Sequence, residues 1–145
     1  MFDKCLYFNV IKLSRTIGSL WESAYRPLGL SPSHAYLMQL ILDSPGDTPK
    51  SLAKKMDLKL STISRLVDGL SSNKLVERKK ENQDKRECSV HPTRNGLRLE
   101  KDLNQITESL KKRMEKVLGV SNVKSAVSII DELNKTIISD VGGKK

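Results

Sequence analysis

The chain has 145 residues, enough to bury one core and too few for two independent ones. It carries 26 Lys and Arg against 17 Asp and Glu, a net charge of +9, which favours polyanionic partners, either nucleic acid or an anionic membrane surface. No apolar run approaches ~18 residues, so no membrane span is expected; two cysteines make no disulfide framework and suit a reducing cytoplasm; the opening residues, with Asp3 and Asn9, lack the apolar stretch and cleavage site of a signal peptide.

The first helix is expected from Asp3 to Tyr25. Leu6, Val10, Leu13, Ile17, Leu20 and Ala24 recur at spacings of 4, 3, 4, 3 and 4, one apolar stripe. Tyr7, Ile11, Trp21 and Tyr25 form a second stripe beside it. A helix apolar over that much of its circumference needs covering on two sides, one by its own domain and one by another subunit. Pro27 and Gly29 close it.

Ser31-Pro32 opens a second helix, with serine as N-cap and proline in the first turn, and Asp43-Ser44-Pro45-Gly46 ends it with turn chemistry. Thr48-Pro49 repeats the start signal for a short third helix to Met56, which places Leu52, Ala53 and Met56 inward. After the turn Asp57-Leu58-Lys59, a fourth helix runs from Leu60 to Ser72, with Leu60, Ile63, Leu66, Val67 and Leu70 inward. Its other face carries Ser61, Thr62, Arg65 and Asp68, with Ser64 beside them. Short hydroxyls and one arginine near a helix N-terminus fit a major groove and reach base edges. The bland alternative is a solvated helix surface.

Asn73 is the expected left-handed residue after that helix. Leu75–Lys80 and Glu87–His91 alternate as two strands, with Val76, Cys88 and Val90 inward and a loop over Glu81–Arg86. Lys79, Lys80, Lys85 and Arg86 give the hairpin a basic set suited to phosphates or the minor groove, although Glu77, Glu81, Asp84 and Glu87 dilute it toward an ordinary charged hairpin. Thr93 then caps one long fifth helix, whose Leu99, Leu103, Ile106, Leu110, Met114 and Val117 repeat at 4, 3, 4, 4 and 3. Gly119–Asn122 breaks it, a last helix covers Val123–Asp140, and Gly142–Lys145 is a frayed tail.

The expected class is mainly α with a small β-hairpin wing (α+β): a winged helix-turn-helix at 31–92 within one domain of 1–145, flanked by helical dimerisation regions at 1–30 and 93–141. Terminal helices that cannot bury their stripes within one chain suggest a symmetric homodimer. Two such units at fixed separation predict a pseudopalindromic duplex DNA site with half-sites about one helical turn apart.

The sequence resembles the MarR family of winged helix-turn-helix transcriptional regulators across essentially its whole length. PLGLSPSHAYLMQLIL matches the second helix, SLAKKMDLKLSTISRLVDGL the helix-turn-helix, KLVERKK the first wing strand, and DKRECSVHPTRNG the wing and its exit. The resemblance places the family's Asp-x-Arg wing pattern on Asp84 and Arg86, implying that Arg86 contacts DNA and Asp84 holds the wing by a charge interaction. It implies cytoplasmic homodimers, commonly repressors, that release DNA when a small-molecule effector or an oxidant acts near the junction of dimer and DNA-binding regions. The chain departs from the pattern at Lys59, where a capping residue is common, at Asn73, where Gly is usual, at Gly69, which replaces a larger residue and removes a late backbone contact, and at Pro92.

Two readings of Cys5 stand. The peroxide-sensing OhrR-like branch carries a reactive cysteine at a similar place, and a helix N-terminus with Lys4 beside it favours a thiolate; the alternative is a small apolar residue in the dimer interface. Cys88 reads as core. Tyr7, Trp21, Tyr25, His34, Tyr36 and Met38 either line an effector pocket or pack as core. His34 and His91 stand apart, without metal-ligand spacing, so no metal and no cofactor is expected. No Gly-rich phosphate loop, G-x-S-x-G or H-E-x-x-H motif points to an enzyme. A helical protein-interaction module without operator binding is the remaining alternative.

Overall fold

A computed structural model describes residues 2–80 and 88–142. After a 3-10 turn at Phe2–Lys4 come α1 (Leu6–Tyr25), a 3-10 turn at Arg26–Leu28, α2 (Pro32–Asp43), α3 (Pro49–Met56), α4 (Leu60–Ser72), β1 (Val76–Lys80), β2 (Cys88–Pro92), α5 (Arg94–Arg98), α6 (Glu100–Leu118) and α7 (Val120–Gly142). The chain packs as two compact units, residues 1–106 and 107–145. Mainly helical elements and one antiparallel hairpin make a winged helix-turn-helix.

Local chemistry sets the boundaries in the first unit. Ser31 Oγ accepts from the His34 N–H at 3.2 Å, Thr48 Oγ1 from the Ser51 N–H at 3.2 Å, and Thr93 Oγ1 from the Gly96 N–H at 3.2 Å. Each such cap contributes about 1 kcal/mol. Pro32 and Pro49 occupy first turns, where a missing N–H costs nothing. The core between these helices holds Leu37, Met38, Ile41, Leu52, Ile63, Val67, Leu70 and Val90, all fully buried. Ala53 is buried where α3 meets α4, as its small size suggests.

Several boundaries differ from the expectation. The first helix starts at Leu6 rather than Asp3, because Cys5 is extended (φ −82°, ψ 119°) and supplies no side-chain cap. Asn73 is not left-handed; Lys74 is, with φ 58°. The Lys74 N–H donates to Ser71 O at 2.9 Å and the Leu75 N–H to Leu70 O at 2.9 Å. This is a Schellman closure shifted by one residue, with buried Leu75 packed at its end and therefore outside β1. The second strand extends through Pro92. The long fifth helix is divided at Leu99, whose N–H donates to Gly96 O, three residues back, at 3.1 Å. Gly119, at φ 86°, separates α6 from α7 by itself, and α7 runs on to Gly142, where a tail was expected.

The wing strands pair Val76 with Pro92, Arg78 with Val90 and Lys80 with Cys88. A third segment joins them: the Gly46 N–H donates to Val90 O at 2.9 Å and the Val90 N–H to Asp47 O at 2.9 Å. Asp47 also meets Lys55 Nζ at 2.5 Å, which ties the start of the helix-turn-helix to the wing strand. Ser89 lies between Cys88 and Val90, the two positions expected inward. It is 1% exposed, bonded to Lys79 O at 3.3 Å and to His91 Nε2 at 2.9 Å. Cys88 is only partly buried, short of the core position expected for it.

Candidate nucleic-acid interface

The periodicity of α4 divides it into two faces. Ile63, Val67 and Leu70 are fully buried, so Ser61, Arg65 and Asp68 necessarily turn outward, with Thr62 and Ser64 half-buried between. Leu60, expected inward, is 51% exposed at the first position of the helix. Asp57, which closes α3, is left-handed (φ 52°).

Arg78 is a site residue that composition and alternation did not single out. Its Nη1 meets Asp68 Oδ1 at 2.7 Å, and its Nη2 donates to Ser64 O at 3.3 Å. One β1 side chain therefore meets α4 at two points. The pair also neutralises Asp68, a carboxylate on the outward face that would otherwise repel phosphate. The signal was present in the register, since Val76 and Arg78 share a strand face and Val76 is inward. Identifying the partner required knowing which helix lies beneath.

Among the other wing residues, Lys79 Nζ is bound to Glu77 Oε1 at 3.1 Å, which lessens its charge toward a ligand. Lys80 is exposed at the end of β1. Asp84, Lys85 and Arg86, with the whole loop Glu81–Arg86, lie outside the described residues.

The residues suggested for an effector pocket scatter in exposure. Met38 and Tyr25 are buried, Trp21 and His34 half-buried, and Tyr7 and Tyr36 exposed, Tyr7 stacking edge-on to Phe8 with ring centroids 5.5 Å apart. The His34 ring shares a 2.8 Å hydrogen bond with Ser31 Oγ, and burial lowers its pKa from the usual 6.5. An open groove of about 490 Å³ lies elsewhere, between α6 and α7, with Val123 and Val127 beneath Lys111, Glu115, Lys124 and Asp131. Its lining includes none of those six residues. Among the described residues no three His, Cys, Asp or Glu side chains converge as a metal site would require, and no helix is long and apolar enough to cross a membrane.

Comparison with known proteins agrees with this architecture. A sequence profile described as MarR family matches residues 28–87, the span from the approach to α2 through the wing loop. The HTH-type transcriptional repressor YetL of Bacillus subtilis (strain 168) is 30% identical over 101 residues, covering 68% of this chain. The chain spans 60% of that relative's length. Among solved structures, the S. aureus MepR–DNA complex superposes with a TM-score of 0.81 at 15% identity, covering 90% of this chain and 96% of that one. A cysteine-to-serine mutant of MarR from E. coli complexed with operator DNA gives 0.79 at 20% identity, covering 92% and 97%. At these identities the two structures establish the fold, while the profile and the curated relative carry the kinship: the chain belongs to the MarR family.

Proposed function

We propose that this chain is a sequence-specific DNA-binding transcriptional regulator, not an enzyme. It acts as a homodimer on a pseudopalindromic operator, represses transcription there, and is released by a small-molecule effector. The observation that carries this reading is the outward face of α4, where Ser61 and Arg65 stand free of the core and the wing is clamped alongside by Arg78. Ser61, Thr62, Ser64 and Arg65 enter the major groove. Lys79, Lys80, Lys85 and Arg86 follow the adjacent backbone or minor groove, with Asp84 bracing the wing. Repression rests on the kinship to a transcriptional repressor, and DNA as ligand is supported by two neighbours of the same fold that carry DNA.

The dimer is supported by apolar surface that one copy leaves uncovered. Leu6, Val10, Leu13 and Ile17 on α1 are exposed, as are Val127, Ile130, Ile137 and Ile138 on α7. Runs of apolar residues at helical spacing seldom stay wet on a soluble chain, and a two-fold pairing would cover them twice over. A cytoplasmic setting follows from the proposed ligand, since that is where an operator is met.

The test is selection of bound duplexes from random DNA by the full chain, followed by measurement of mass in solution. The proposal expects an enriched site with two inverted half-sites about one helical turn apart, bound by a dimer. A chain that enriches no sequence and binds duplexes equally at low salt would leave the protein-interaction module as the better description.

A further inference from the structure

The contact between α2 and the recognition helix is made at a glycine. A Cβ placed on Gly69 would lie 2.6 Å from His34 Nε2 and 3.5 Å from both Cδ2 and Cε1 of the same ring. The imidazole edge thus occupies the space a side chain would need. Gly69 is half-buried and faces His34 of α2, so its lack of a side chain serves packing here.

The ring is held at its other nitrogen, where Ser31 Oγ and His34 Nδ1 lie 2.8 Å apart, and Ser31 is itself fixed as the N-cap of α2 by the His34 N–H. One turn further along α2, Met38 is fully buried, and its Cε would lie 2.7 Å from a Cβ on Gly96 of α5. Two residues four apart on α2 therefore rest on glycines of two different helices. If α2 cannot withdraw and the ring cannot swing without losing Ser31, the element that yields to added bulk at position 69 is α4.

We propose that His34 is a positioning residue of the recognition helix: its ring, seated on Gly69 at the flank of α4 and tethered by Ser31, sets where α4, and with it the Ser61–Arg65 face, sits on the domain. The inference rests on the proposed DNA-reading role of α4 for its functional consequence, but the seat itself is independent of that role. Groove reading tolerates little displacement. A shift of a fraction of an ångström in α4 misplaces hydrogen bonds to base edges while leaving phosphate attraction in place.

The experiment is a double-mutant cycle with Gly69→Ala and His34→Ala in the full chain. It is read by thermal melting and by binding to the selected duplex, to single-base-pair variants of it, and to unrelated duplex. Alanine is the better helix former, so an open site would raise the Tm on Gly69→Ala. The seat predicts the reverse in the wild-type background and a neutral or raised Tm in the His34→Ala background. It also predicts that Gly69→Ala lowers the preference for the selected duplex over its variants at least tenfold. Binding to unrelated duplex should stay within about twofold, and adding His34→Ala should restore most of the preference. His34→Ala alone should also lose preference, since α4 then lacks its stop; this arm stands even if Gly69→Ala does not fold. Additive effects in the cycle, or a His34→Ala chain with unchanged preference, overturn the proposal. If the Tm sign inverts as stated but the wild-type chain selects no duplex, the seat stands and the DNA-reading role falls.

Discussion

Replacing Gly96 by alanine should destabilise the chain by about 2 kcal/mol. A Cβ there would lie 2.2 Å from Leu75 O, 2.7 Å from Met38 Cε and 3.2 Å from Leu75 C. The methionine tip can move, but the carbonyl cannot easily. Leu75 O accepts from the Thr93 N–H at 2.9 Å, while the Leu75 N–H is committed to Leu70 O at 2.9 Å, and Thr93 Oγ1 donates to Lys74 O at 2.6 Å. The start of α5 and the turn before β1 must therefore separate by most of an ångström. Overpacking of this kind costs about 1–3 kcal/mol. Loosening the Thr93 cap adds about 1 kcal/mol, and the helix preference of alanine over glycine returns about 1 kcal/mol. For a chain of 145 residues a net loss near 2 kcal/mol lowers the Tm by about 4–8 °C. Far-UV circular dichroism, at matched protein concentration so that dimerisation does not shift the midpoint, measures this directly. Urea titration should show a lower midpoint at unchanged slope. A Gly96→Ala chain that melts at or above the wild-type temperature refutes the close approach of α5 to Leu75.

Arg78→Ala should change stability by less than about 1 kcal/mol, because its pair with Asp68 is 37% and 59% exposed and solvent screens it. The same change should weaken binding to the selected duplex about tenfold, through a loosened wing and a bare carboxylate. Adding Asp68→Asn should recover part of the loss, and unchanged affinity in Arg78→Ala would remove it from the interface. For His34, burial holds the ring's pKa below 6.5, so the folded state prefers the neutral form. The associated stability is present above about pH 6.5 and is lost as pH falls through the lowered folded value. The difference in Tm between wild type and His34→Gln should narrow over that interval, and parallel pH curves would contradict it. The small-molecule reading expects organic peroxide to leave the wild-type DNA complex intact. Peroxide release that Cys5→Ser abolishes would move the input to this thiol.

The starts of the capped helices were legible in the sequence because their causes are local. Ser31-Pro32, Thr48-Pro49 and Thr93 each cap a helix where the chain order places them, and α2, α3 and α4 run over the expected residues. Features set by a distant neighbour were not. Asn73 is the better left-handed residue in isolation, yet burial of Leu75 moves the closure one position along and puts Lys74 in that conformation. Leu60 fits the apolar spacing of α4, but spacing does not say that the first turn lies beyond the edge of the core. Arg78, Ser89 and Gly96 depend on strand register and on which backbone lies opposite, information carried by no window of sequence around them. For the outward face of α4 the sequence was enough, since burying Ile63, Val67 and Leu70 leaves Ser61 and Arg65 no other side.

The central claim is that this face reads DNA, and the most direct measurement is the affinity of wild type and Arg65→Ala for the selected duplex and for a scrambled one, across a salt series. A wild-type preference of at least about 10³ is expected. Affinity should fall steeply as salt rises, and Arg65→Ala should lose about 1–3 kcal/mol of that preference. Should Arg65→Ala bind both duplexes as the wild type does at every salt concentration, α4 does not carry the recognition.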